Sequence, residues 1–278
     1  MEIVRHESEL SAWEVVSRPP PDALRPYLGR PLEGWAQNRG DGGQMREVPF
    51  PGVPLILNLG PAWTVEDPRG GGPQTRDSFV AGLHDGPTLV RGADRSSCLE
   101  LRLTPLGARR ILGLPMSELT NLTVDLGDLW PGATELGERL REATSWEARF
   151  DLVDLFLLRR IGDAAPAQPG VAWAWRRLLE TGGRQAVGDL ADELDWSPRR
   201  LITRFREQIG LTPKTAARVI RFDRTVSRLR RADESLAEVA YACGYFDQAH
   251  FNREFRELAG TTPRLFRSAM LPSAGVAA

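Results

Sequence analysis

Between Ser197 and Arg231 the chain sets 11 basic residues against two acidic ones, Glu207 and Asp223. Spacing gives this charge a direction. Leu201, Phe205 and Ile209 recur at i, i+4 and i+8, the stripe of one helix face, and Arg199, Thr203 and Arg206 fall opposite it on a helical wheel. Fifty residues later Phe251, Phe255 and Ala259 repeat the stripe, and Arg253 and Arg256 take the outer positions of Thr203 and Arg206. Guanidinium groups presented along a helix are donors suited to phosphate oxygens. The chemistry on offer is binding of a polyanion.

Local signals define the elements that carry these residues. Ser197 is an N-cap and Pro198 suits the first helical position, while Gly210 is expected to close the helix in the left-handed conformation. Upstream, "AVGDLADEL" gives a short helix with Val187, Leu190, Ala191 and Leu194 on one face, and "DWS" gives a tight turn. Short helix, turn and basic longer helix make a helix-turn-helix pattern. In the second copy Ser235 and Glu238 form a capping box for "LAEVAYAC", Gly244 stops that helix, and Asp247 caps "QAHFNREFREL". The first helices align at an offset of 49 and the second helices at 50, so the second turn is one residue longer. Between the copies, Thr212 and Pro213 begin a helix running to about Arg231, with Val219, Phe222, Val226 and Leu229 inside. Nineteen residues span roughly 28 Å. With its flanking turns, that suits two helices about one DNA turn, roughly 34–36 Å, apart. The doubled Gly-x-Thr-Pro at Gly210 and Gly260 ends one helix and starts the next each time.

Residues 171–268 resemble the AraC/XylS transcription regulators, through "VGDLADELDWSPRRLITRFREQIGLTP" and "LAEVAYACGYFDQAHFNREFRELAGTTPRLFR". The resemblance implies an all-α domain of two helix-turn-helix units joined by a long helix, promoter binding, and regulation of transcription, usually activation through RNA polymerase. Its base-reading positions fall on Arg199, Arg200, Ile202 and Thr203 in the first unit, and on Gln248, Ala249, His250, Asn252 and Arg253 in the second. Arg199 and Arg253 suit a guanine edge, Gln248 and Asn252 an adenine edge, and Ile202 and Ala249 apolar contact such as a thymine methyl. Arg206 and Arg256, with the helix N-termini at Ser197 and Asp247, suit phosphates. Ile202 and Thr203 depart from the larger aromatic or polar set that family members often carry on the first helix.

A chain of 278 residues accommodates two domains. The expected division is a sensing or dimerisation domain at 1–161, a linker at 162–170 in the Ala-, Pro- and Gly-rich "IGDAAPAQPG", the DNA-binding domain at 171–268, and a flexible tail at 269–278. Charge segregates accordingly: residues 171–278 hold 18 Lys+Arg against 13 Asp+Glu, within a chain of net charge -1. The front part is expected to be α+β, a small β-barrel or sandwich with helices. "VPLILNLG", "SFVAGL", "PTLVRG" and the alternating "SCLELRLTP" read as strands, and Thr104 with Pro105 opens a helix. Thr144 and Glu147 are expected to box the start of a closing helix through "SWEARFDLVDLFLLRRI". There Leu152 and Phe156 exceed one buried face, which points to a dimer contact. Trp13, Trp35, Trp63 and Trp130 are read chiefly as core, with an effector pocket as the alternative.

Enzymatic readings find little support. Cys98 and Cys243 lack metal-binding spacing, His6, His84 and His250 are scattered, and "PRGGGPQT" has no lysine, so it reads as a hairpin tip. No catalytic set, cofactor or metal is expected. The start "MEIVRHESELSAWEVV" has no leader pattern and no run is apolar enough to span a membrane, so the expected location is cytoplasmic. The expected partners are double-stranded promoter DNA, RNA polymerase, a small-molecule effector and a second copy of the chain.

Overall fold

A computed structural model of the chain describes residues 1–8, 12–39, 43–161, 166–231, 234–269 and 276–277. Strands follow as β1 Glu2–Glu7, β2 Ala12–Arg18, β3 Leu32–Arg39, β4 Gln44–Glu47, β5 Val53–Asn58 and β6 Trp63–Glu66. β7 Gln74–Arg76, β8 Phe79–Ala81, β9 Thr88–Arg91, β10 Ser96–Leu103, β11 Thr123–Asp125 and β12 Val276–Ala277 complete them. One sheet has the order β1-β2-β3-β10-β5-β8-β11 and the other β12-β4-β9-β6-β7, every pairing antiparallel.

Alternation along β10 explains its two environments. Leu99, Leu101 and Leu103 are buried in the main core with the helices. Cys98, on the other face, lies with Ile56, Trp63, Val65, Phe79 and Val90 in a second core. There Trp63 meets Trp35 and Phe79 edge-on at 6.5 and 6.3 Å. The Gly-rich tip joins β6 to β7, with Gly70, Gly71 and Gly72 all at positive φ.

The front helices are α1 Pro105–Leu112, α2 Leu126–Leu129, α3 Ala133–Glu142 and α4 Trp146–Ile161. Thr104 Oγ1 caps α1 by accepting from Gly107 N. The expected box on α4 is displaced by one residue. Ser145 Oγ accepts from Ala148 N at 3.2 Å, so Ser145 rather than Thr144 is the cap and Glu147 sits one position too early for a reciprocal bond.

The C-terminal part is all-α: α5 Pro169–Thr181, α6 Val187–Glu193, α7 Pro198–Ile209, α8 Pro213–Leu229, α9 Leu236–Ala242, α10 Gln248–Ala259 and α11 Pro263–Ser268. Within the expected linker, residues 162–165 lie outside the described residues, and Pro169 and Gly170 belong to α5, where proline suits the first turn. α8 ends at Leu229, short of Arg231, because Arg231 N turns back onto Arg228 O at 2.9 Å. Its 17 residues span roughly 26 Å. Residues 270–275 and 278 of the expected tail lie outside the described residues, whereas Val276–Ala277 pairs with β4, Val276 opposite Arg46. The two parts pack together: α7 contacts α1 and the short 3-10 turn Met116–Glu118, and one continuous core runs through both.

Candidate nucleic-acid interface

The two helix-turn-helix units form as the capping chemistry dictates. Ser197 Oγ accepts from Arg200 N, Thr212 Oγ1 from Thr215 N, and Asp247 Oδ1 from His250 N at 2.6 Å. At α9 the box is complete: Ser235 Oγ accepts from Glu238 N, and Glu238 Oε2 accepts from Ser235 N, which holds the Glu238 carboxyl below its usual range. Leu201, Phe205, Ile209, Phe251, Phe255 and Ala259 are fully buried. Gly260 adopts the left-handed conformation at φ 66°, ψ 7°, but Gly210 does not, at φ 104°, ψ −36°. The front domain closes on Gly210: Thr120 Oγ1 donates to its carbonyl at 2.5 Å. The other copy is held similarly, Arg46 Nη1 donating to Ala259 O at 3.2 Å.

The turns differ by one residue, and backbone bonds identify it. Trp196 N donates to Ala191 O at 2.9 Å and Tyr245 N to Ala240 O at 3.0 Å. Trp196 and Tyr245 are therefore equivalent, and Phe246 is the extra residue.

Of the base-reading candidates, Arg199, Arg200, Ile202, Thr203, Gln248, Ala249 and Arg253 are exposed, and His250 and Asn252 are half-buried. The phosphate candidates Ser197, Arg206, Asp247 and Arg256 are all exposed. Besides the capping side chains of Ser197 and Asp247, two base-reading candidates are engaged within the fold. The Arg200 guanidinium lies 4.5 Å over the Trp196 ring, and His250 packs edge-on to Tyr245 while its Nδ1 accepts from Phe246 N at 3.4 Å.

The arginines of the two units and of α8 include two contrasting sets. Arg221 donates two bonds to Glu254, Arg218 pairs with Glu254 and Glu257, Arg228 with Glu234, and Arg204 with Glu207. Arg199, Arg206, Arg253 and Arg256 have no side-chain partner among the described residues. Glu254, only 6% exposed, was not singled out from the sequence because it looks like one more surface acid. Its signal was position: three residues after Phe251 and four before Leu258, it falls on the inner face.

A second charged cluster lies on the front domain. Glu33 and Glu100 stand directly opposite across β3 and β10, Arg102 Nε donates to Glu100 at 2.7 Å, and Arg30 and Arg102 face Asp223 of α8. Burial pushes the Cys98 thiol up, which disfavours the thiolate.

Among the described residues, no group of three or more His, Cys, Asp or Glu is placed to hold a metal ion, and no helix is long and apolar enough to cross a membrane. The family described as "Helix-turn-helix domain" matches residues 190–269. This stretch is an AraC/XylS-type helix-turn-helix domain. The AraC/XylS-type domain is 31% identical over 80 residues to the HTH-type transcriptional activator RhaS of Pectobacterium atrosepticum, covering 29% of each chain. It is 36% identical over 78 residues to RhaS of Citrobacter koseri, covering 28% of each. These matches thus take in less than a third of those relatives' length. Among solved structures, ToxT of Vibrio cholerae bound to an unsaturated fatty acid aligns with 87% of this chain and 95% of its own, at 12% identity and a TM-score of 0.49.

Proposed function

We propose that the chain is a sequence-specific DNA-binding regulator of transcription, an activator working through RNA polymerase in the cytoplasm, with no enzymatic step of its own. The observation that supports this best is the division of its arginines. Those packed between helices are neutralised by glutamates, while Arg199, Arg206, Arg253 and Arg256, on the outer faces of two helices joined by α8, have no side-chain partner among the described residues. Arg206 and Arg256, with the N-termini at Ser197 and Asp247, set the register on phosphates. Arg199, Arg200, Ile202 and Thr203 read one segment; Gln248, Ala249, Asn252 and Arg253 read the next, with His250 largely spent on its turn.

Selection of bound fragments from random and genomic DNA by the full chain tests this reading. It should enrich two short submotifs about one helical turn apart. Failure to enrich any motif rejects sequence-specific binding.

In this reading residues 1–161 sense or dimerise and 171–268 read DNA. A second copy joins through α4, where Leu155 and Leu158 are 53% and 40% exposed beside half-buried Leu152. The front domain holds both reading helices by their C-terminal ends and leaves their outer faces open, so it pre-organises their spacing, and an effector would act by altering that hold. Thr120→Val, which removes the bond to Gly210 O, is expected to weaken binding to a selected duplex about 2- to 10-fold. Tighter binding by this variant would instead make the contact a restraint.

A further inference from the structure

We infer that Phe246 is a specificity-determining residue of the second unit, its ring making apolar contact with a thymine methyl in the major groove. This rests on the DNA-binding reading above and adds to it a residue outside the base-reading set.

Phe246 is 92% exposed, an unusual place for a phenylalanine on a well-packed domain. Standing immediately before the cap Asp247, it holds the position from which an apolar side chain ordinarily staples onto the fourth residue of the helix, here Phe251. Tyr245 has taken that place, its ring 5.0 Å from Phe251 and itself 6% exposed. The fold therefore gives the Phe246 ring nothing to cover.

The first copy shows the same packing without the extra residue: its Trp196 is the equivalent of Tyr245. Trp196, the residue before that copy's cap, lies so close to Gly170 of α5 that a Cβ there would meet its ring at 2.7 Å, and Arg200 stacks over it. Fifty residues on, the counterpart of Arg200 is His250, which packs on Tyr245 as Arg200 packs on Trp196, so neither ring nor imidazole covers Phe246. Phe246 is the inserted residue of a longer turn, fixed in place because its N–H donates to His250 Nδ1. It adjoins exposed Gln248 and Ala249 at the helix end that meets base edges when such a unit docks. Among base-pair edges in the major groove, the apolar group available to a phenyl ring is the thymine methyl.

The test uses the full chain and a duplex recovered by selection with the wild-type protein. Phe246→Ala should weaken binding to that duplex about 5- to 20-fold and to a scrambled duplex less than about 2-fold, with Phe246→Leu retaining most of the affinity. Replacing thymine by uracil in the second unit's segment, which removes only methyl groups, should cost the wild type a comparable factor and cost Phe246→Ala nothing further. Because the side chain is exposed, the melting temperature should not move, which separates lost contact from lost fold. Unchanged affinity of Phe246→Ala on both duplexes overturns the inference, and if transcription with purified polymerase then falls, the ring serves a protein partner. If selection enriches no motif at all, the underlying DNA-reading proposal fails with it, a result distinct from an enriched motif indifferent to Phe246.

Discussion

Glu254→Ala is expected to destabilise the C-terminal domain by about 2–4 kcal/mol and to disable the second reading helix. The carboxylate is nearly buried and takes two bonds from Arg221 and one from Arg218, tying α10 to α8. Its removal leaves two guanidinium groups of α8 side by side at the contact with α10, Arg221 without its anion and Arg218 with Glu257 alone. Arg218 and Arg221 keep 28% and 14% of their side-chain surface exposed, so solvent moderates the penalty. Urea denaturation of the two proteins measures the effect, with Glu254→Gln expected between them. A loss below about 0.5 kcal/mol would mean that the Phe222, Phe251 and Phe255 cluster alone positions α10.

Arg253→Ala, one residue earlier, should behave in the opposite way. Its guanidinium is exposed and has no partner among the described residues, so stability should stay within about 0.5 kcal/mol. Binding to a selected duplex should weaken by about 1–3 kcal/mol and binding to random DNA by much less. Titrations at fixed salt decide this; equal losses on both sequences would make Arg253 a phosphate contact. Thr203 occupies the matching position in the first unit and offers only a hydroxyl and a methyl, so Thr203→Ala should cost less. The neighbouring pair Arg253 and Glu254 thus separates recognition from scaffolding on one turn of helix.

The helical half was readable because helix ends are set by local chemistry. Ser197 with Pro198, Thr212 with Pro213, Ser235 with Glu238, and Asp247 act through bonds spanning three residues, and all are present. The expected box from Thr144 to Glu147 slipped by one, because the next residue, Ser145, is also a hydroxyl side chain able to cap. The front half was legible only as strands and helices. Alternation in "SCLELRLTP" assigned faces, but nothing in it says that β10 lies between β3 and β5. Contacts between the halves were out of reach, since Thr120 to Gly210 and Arg46 to Ala259 join residues 90 and 213 positions apart. The sequence showed that the second turn is one residue longer; that the extra residue is Phe246 follows from the backbone bonds of Trp196 and Tyr245, and that its ring lacks cover depends on where Tyr245 and His250 turn.

The two grips of the front domain share a property with evolutionary weight. Both accept through main-chain carbonyls at the closing ends of the reading helices, Gly210 O and Ala259 O. A carbonyl survives any substitution of the side chains that face the groove. On the proposed reading, selection can rewrite Arg199, Thr203, Gln248 or Arg253 toward a new operator without severing the linkage to the front domain, which would leave target choice and control free to diverge independently.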